Sequence, residues 1–226
     1  MKVLSIINLK GGVAKTISAV NIAHILAVVF GKRVLLIDND KQGNASKMFG
    51  LHSYDNPSIA EVMTERHVNL DEIIRPTAYP NLHVIPANMN LLRANMEVMM
   101  DSSRPQQTRI RTALQSVADR YDYCIIDNAP DINISTINAL VASNDVAIPV
   151  KIDQFAVDGL AELKEQIDNT REDLNPEINL IGCFVTCFQR NEVNKQGEEW
   201  LRSTLQNTYP QNRKDRRKHL CRRTYH

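Results

Sequence analysis

Along the 226-residue chain, short apolar runs rich in β-branched residues alternate with longer segments whose apolar positions recur at helical spacing. The runs are KVLSIIN (2–8), RVLLID (33–38), LHVIPA (82–87), YCIID (123–127), VAIPV (146–150) and INLIGCFVT (178–186). Most are continuously apolar and do not alternate with polar positions, which suits strands covered on both faces, as in a parallel sheet. Between them, Ile110, Leu114 and Val117 recur on one helical face, as do Leu160, Leu163 and Ile167. Residues 16–29 are nearly all apolar or small, which predicts a buried helix. Strand–helix alternation throughout predicts an α/β fold: a doubly wound, mostly parallel twisted sheet with helices on both faces. No internal repeat or long linker splits the chain.

The junction of the first strand and first helix reads INLKGGVAKT, Ile7 to Thr16. It nearly fits the phosphate-loop pattern G-x-x-x-x-G-K-[ST], but Leu9 stands at the first glycine and Ala14 at the last. A strand before and a helix after give the context this loop requires. Gly11 and Gly12 permit a tight turn with inward N–H groups, and the helix adds its positive end. Lys15 would reach the β- and γ-phosphates and the Thr16 hydroxyl would ligate Mg²⁺. The bland alternative is a tight turn with a solvated lysine. Asp38 and Asp40 close another buried strand. Strand C-termini line the ligand crevice of a doubly wound sheet, so Asp38 would lie near Mg²⁺ and Lys15. Asp127 ends a third.

Composition narrows the class. The hydrophobic fraction is 43%, ordinary for a globular protein, and no apolar run approaches the ~18 residues of a membrane span. The N-terminus does not read as a cleavable signal, and a cytoplasmic location is the default expectation. Cys183 and Cys187 lie in an apolar run and read as buried free thiols rather than metal ligands. The net charge of +1 hides an asymmetry: residues 211–226 hold seven Lys/Arg and one Asp, leaving 20 basic and 25 acidic residues in 1–210, a balance of −5.

KGGVAKT resembles the deviant phosphate loop K-G-G-V-G-K-T of the ParA/MinD family of ATPases, in which a lysine precedes the glycine pair. GKRVLLIDNDKQGNAS (31–46) looks like that family's D-x-D-P-Q-G-N motif. IIRPTAYPNLHVIPANMNL (73–91), YDYCIIDNAPDINISTINAL (121–140) and VAIPVKIDQFAVDGLAEL (146–163) resemble further segments of the ParA/Soj-type partition ATPases. The similarity covers roughly residues 1–200. It implies that Lys10 is the signature lysine, which reaches the nucleotide of the opposite subunit. It also implies that Asp40 orients the attacking water and that Asp127 is the Walker B aspartate, holding Mg²⁺ directly or through water. The nucleotide-binding set is then Lys10, Gly11, Gly12, Val13, Ala14, Lys15, Thr16 and Ile17. Thr16, Asp38 and Asp127 hold the metal, and Lys10, Lys15 and Asp40 serve catalysis. Arg190, in FQRNE (188–192), sits where the family places base-proximal residues; stacking on the base and a plain surface position are equally open.

The chain departs from the family pattern at Ala14, at Ile17 in place of a second threonine, at Lys41 in place of a proline, and at Asn128-Ala129-Pro130. If position 14 needs positive φ, alanine costs about 1–2 kcal/mol. The chain divides into an ATPase domain over 1–210 and a basic tail over 211–226. The tail reads as a disordered arm, a DNA-contacting tail, or the product of a reading-frame change, the last favoured because the resemblance stops near Pro210.

The resemblance implies an ATP- and Mg²⁺-dependent switch for DNA partition that dimerises on ATP and binds DNA non-specifically. A ParB-like protein would stimulate it, and it would be cytoplasmic and nucleoid-associated. The alternatives are a degenerate or regulatory nucleotide switch with little hydrolysis, a cofactor-handling ATPase, and a MinD-like membrane-cycling ATPase. The last would need a terminal amphipathic helix, for which the tail offers only Leu220 and Tyr225. No membrane partner is expected.

Overall fold

The computed structural model describes residues 1–152 and 156–208, with side chains for all of these but 156–158 and 204–208. Its centre is a seven-stranded sheet. The strands are β1 (Lys2–Ile6), β2 (Val34–Asn39), β3 (Arg75–Pro76), β4 (Leu82–Ile85), β5 (Tyr123–Asn128), β6 (Asp145–Lys151) and β7 (Asn179–Thr186). Their spatial order is β3-β4-β2-β5-β1-β6-β7. All pairings are parallel except the short β3–β4 edge. All six apolar runs became strands. The two-residue β3 was not anticipated, being too short to carry a periodic signal.

Alternate residues of the central strands feed opposite faces. Leu35, Ile37, Cys124 and Ile126 pack with α3 (Ile59–Thr64), α5 (Asn90–Met100), α6 (Arg109–Gln115) and the start of α7 (Ile134–Ala142) through Ile59, Leu91, Ile110 and Ile134. Val34, Leu36 and Ile125 pack on the other face with Ala19 and Ala23 of α1 (Lys15–His24). At the far edge, Val146, Ile148 and Val150 of β6 meet Leu163 and Ile167 of α8 (Ala156–Asp173) and Leu201 of α9 (Glu192–Thr208). Burial on both faces is why the strands read as unbroken apolar runs. The short helices α2 (Asn44–Met48) and α4 (Leu70–Ile73) sit in the β2–β3 connection.

The helix over 16–29 differs from expectation. It buries only one face, through Ala19, Val20, Ala23 and Ala27, while Val29 and Phe30 are 68% and 63% exposed. Ile25–Val29 form a π-helical turn closed by the Phe30 amide on the Ile25 carbonyl. Widening the turn rotates Val28, Val29 and Phe30 outward. The cysteines also differ: Cys183 is only half-buried, on the edge strand β7, and Cys187, past the strand end at Thr186, is exposed with φ 52°. The expected tail, 211–226, lies outside the described residues.

Candidate functional site

The turn from β1 to α1 is anchored on two sides. Asn8 is buried and donates through Nδ2 to the Pro149 carbonyl at 2.8 Å, while its Oδ1 accepts the Lys10 amide at 2.9 Å. On the other side the Thr186 hydroxyl donates to the Val13 carbonyl at 3.0 Å, over a buried Val13 side chain. Strands β6 and β7 therefore hold a loop that begins on β1. Gly12 turns with φ 71°, and Ala14 adopts φ 61°, ψ 32°. The left-handed geometry expected of a glycine is kept by an alanine.

Ala14 is also the N-cap of α1. It brings no capping side chain, and the first turn holds no acidic residue. The leading amides and the positive end of this ten-residue helix thus have no side-chain anion of their own. Lys15 is buried and donates from Nζ to the Lys10 carbonyl at 2.9 Å, folded across the loop. Burial lowers its pKa, and the carboxylates of Asp127, Asp40 and Asp131 oppose that.

The carboxylates arrive from the ends of two adjacent strands. Asp38 on β2 is in register with Asp127 on β5. Asp38 accepts from the Ser46 amide at 2.8 Å and the Ser46 hydroxyl at 2.7 Å on Oδ2, and from the Asp40 amide at 3.3 Å on Oδ1. Burial pushes its pKa up to about 6 against those bonds. Asp127 is 1% exposed, and among the described residues neither of its oxygens has a hydrogen bond of good geometry. Burial, then the Asp38 carboxylate, pushes its pKa up to about 8, with the nearby Thr16 hydroxyl favouring the charged form. Asp40 is buried and accepts the Gln42 amide at 2.9 Å. Lys41, where the family pattern has a proline, pairs with Asp131 across the crevice at 3.5 Å.

Two orphaned, hard oxygen donors beside a hydroxyl, a second carboxylate and a buried lysine form a donor set suited to Mg²⁺. A divalent cation would satisfy the Asp127 oxygens and favour the charged forms of both acids. Asp127 and Thr16 are the open ligands. Asp38 is turned toward Ser46, so it would act on the metal from beside it.

The structure thus brings together Gly11, Gly12, Val13, Ala14, Lys15, Thr16, Asp38, Asp40 and Asp127 at the carboxyl ends of the strands, with Lys10 on the loop. Ile17 is 51% exposed on the outer face of α1. Arg190 is exposed in the bend between β7 and α9, four residues past the Thr186 that touches the loop. Sequence reasoning missed Asn8 and Thr186, whose roles rest on contacts distant in sequence, and Ser46, which meets Asp38 eight positions away. It also missed a buried amide pair, Asn39 and Asn128. A signal for that pair was present: both strand ends read Asp-Asn.

Residues 1–180 match a protein family described as an AAA domain. The chain is 38% identical to the sporulation initiation inhibitor protein Soj of Bacillus subtilis, over 82% of this chain and 72% of that one. It is 37% identical to the chromosome partitioning protein ParA of Myxococcus xanthus, over 83% of this chain and 65% of that one. It spans 61% of the length of an uncharacterized Mycobacterium tuberculosis relative to which it is 35% identical over 86% of its own length. Among solved structures, a plasmid partition protein from Borrelia burgdorferi superposes with TM-score 0.77 at 28% identity, over 89% of this chain and 85% of that one. A Mycobacterium smegmatis protein described as cobyrinic acid a,c-diamide synthase, with bound ATP analogue and magnesium, does so with TM-score 0.82 at 28% identity, over 90% and 82%.

Proposed function

The chain belongs to the ParA/Soj family of P-loop nucleoside triphosphatases, and from that premise we propose that it is an ATP-hydrolysing dimeric switch for partition of DNA. The observation that carries the reading is the pairing of an uncapped helix start, formed by an αL Ala14, with the orphaned Asp127 oxygens. One feature calls for an anion and the other for a cation, and a magnesium nucleotide supplies both.

The roles follow from placement. Amides of 11–16 would cradle the phosphates. Lys15, which donates to the Lys10 carbonyl in this structure, would offer its charge to the β- and γ-phosphates, and Thr16 and Asp127 would hold Mg²⁺. The metal would supply countercharge to the phosphates when bound; the protein's part is position and a dry, charged surround. Asp38 keeps the strand end in place through Ser46. Asp40 orients water, and Lys10 serves the nucleotide of the opposite protomer, as the family resemblance implies. The Ile17 amide would join the cradle and Arg190 would stack on the base, as the family resemblance implies. ATP-bound dimers bind DNA through phosphate contacts, which makes binding steeply salt-dependent, and a ParB-like protein stimulates hydrolysis. We place the protein in the cytoplasm on the nucleoid. No helix among the described residues is long and apolar enough to cross a membrane.

Sizing the protein with and without ATP-Mg²⁺ tests this. The unaltered chain should dimerise transiently, Asp40→Ala should stay dimeric, and Lys10→Ala should stay monomeric. A chain that remains monomeric in all three cases, with no ATP turnover, would sink the proposal.

A further inference from the structure

Behind each carboxylate at the crevice stands an amide on the opposite face of the sheet. Asn39 follows Asp38, Asn128 follows Asp127, and the two asparagines are in register as the two aspartates are. Asn39 is fully buried and Asn128 is 1% exposed. Asn39 Nδ2 donates to Asn128 Oδ1 at 2.9 Å and to the Ser135 carbonyl in the first turn of α7 at 3.0 Å. Asn128 Nδ2 lies 3.3 Å from the Ser5 hydroxyl and 3.2 Å from the Ile6 carbonyl on β1. The Ser135 hydroxyl donates to Asn133 at 2.6 Å and accepts from Asn95 of α5 at 3.4 Å. One chain of hydrogen bonds therefore joins β1, β5, β2, α7 and α5 directly beneath the acids.

An apolar pair would fill this place without any partner requirement, and the strand residues that precede the pair on that face, Leu35, Ile37, Cys124 and Ile126, are apolar. Amides hold a distance and an orientation, because each bond is directional. The bonds are also incomplete. Among the described residues, Asn39 Oδ1 and Asn95 Oδ1 are buried without partners, although both side chains donate to Ser135. Each leaves one acceptor open beside the start of α7, the segment that follows Asp131 in the crevice.

We propose that Asn39 is a positioning residue for hydrolysis. Clamped between Asn128 and the Ser135 carbonyl, it sets the separation of the strand end bearing Asp38 and Asp40 from Asp127, and ties that separation to the start of α7. The proposal rests on the ATPase reading above. It adds that the metal and water carboxylates are aligned from behind, by groups that never touch the nucleotide.

The test compares Asn39→Leu with the double variant Asn39→Leu/Asn128→Leu. The single change leaves Asn128 Oδ1 buried without its donor, whereas the double change removes both partners, so Tm should fall in the first and recover in the second. In both, kcat for ATP should drop about tenfold to a hundredfold, with KM for ATP nearly unchanged. A second readout is independent of turnover: the gain in ADP affinity on adding Mg²⁺ should shrink several-fold in both variants. Recovery of kcat along with Tm in the double variant would reduce the pair to packing and overturn the proposal, as would wild-type kcat in the single one. If the unaltered protein lacks turnover, the ATPase reading fails, and the clasp is judged on the Mg²⁺ increment alone. An increment equal to wild type in Asn39→Leu overturns it.

Discussion

The two ends of the same four central strands treat charge in opposite ways. At the amino end, Lys2 pairs with Asp145 at 2.6 Å and Arg33 with Asp122 at 2.7 Å, half in solvent. The Arg33 guanidinium and amide hold the Asp122 carboxyl down at about 2. At the carboxyl end, Asp38 and Asp127 are buried, in register with each other, and pushed up to about 6 and about 8. One end is electrostatically finished by the chain itself. The other, on the function proposed above, takes a cation and an anion from outside, and a parallel sheet with helices crossing back over its faces puts that end at the crevice. An unfinished charge balance, more than the presence of charge, is what marks the working end.

Emptying the working end of charge should have the largest effect. Lys15→Ala is expected to lower kcat/KM for ATP by about a hundredfold or more, read in a phosphate-release assay. The matching change at the finished end, Arg33→Ala, should leave it near wild type. Equal losses at both ends would break the comparison.

Titration sharpens it further. The folded-state pKa values of Asp127 and Asp38 are raised to about 8 and about 6. The unfolded chain releases those protons near pH ~4, so it binds fewer protons than the folded chain between there and pH 8. This contribution is fully present below pH ~4 and is lost as pH rises through 6 and then 8, on the order of a few kcal/mol. Asp127→Asn should flatten the loss in thermal melts from pH 5 to 8.5, and saturating Mg²⁺-ADP should shrink it in the unaltered protein. Asp122 has the reverse sign: its lowered pKa contributes stability above pH ~4 that is lost as pH falls toward 2. A melt series in which Asp127→Asn keeps the full alkaline loss would remove Asp127 from the argument.

Ala14→Gly should stabilise the chain by about 1 kcal/mol, the left-handed penalty less the extra unfolded-state freedom of glycine. Denaturant unfolding measures it, and a destabilised variant would mean that the loop does not hold this geometry. Smallest of all, Asp122→Asn should move the Tm little and ADP affinity not at all, since exposed pairs contribute little.

Much of this was legible in the sequence. The six runs gave the strands because burial on both sheet faces leaves an uninterrupted apolar stretch. Lys-Gly-Gly before Lys-Thr placed the loop, and aspartates closing apolar runs placed the acids. Less legible were the elements whose partners lie far along the chain. Thr186 meets Val13 and Asn39 meets Asn128 only once the strands are ordered. The outward turn of Val29 and Phe30 was hidden for another reason: a π turn changes which face a residue occupies without changing composition.

By itself the sequence determined six of the seven strands, where the phosphate-type loop sits and which acids end buried strands, because those depend on local periodicity and short spacing. Only the tertiary structure decided that Asp127 lacks a partner, that Asp38 is held by Ser46, and that amides stand behind both acids. Desolvation and hydrogen-bond satisfaction are set by neighbours in space, and a parallel sheet brings together neighbours that lie up to 173 positions apart in the chain.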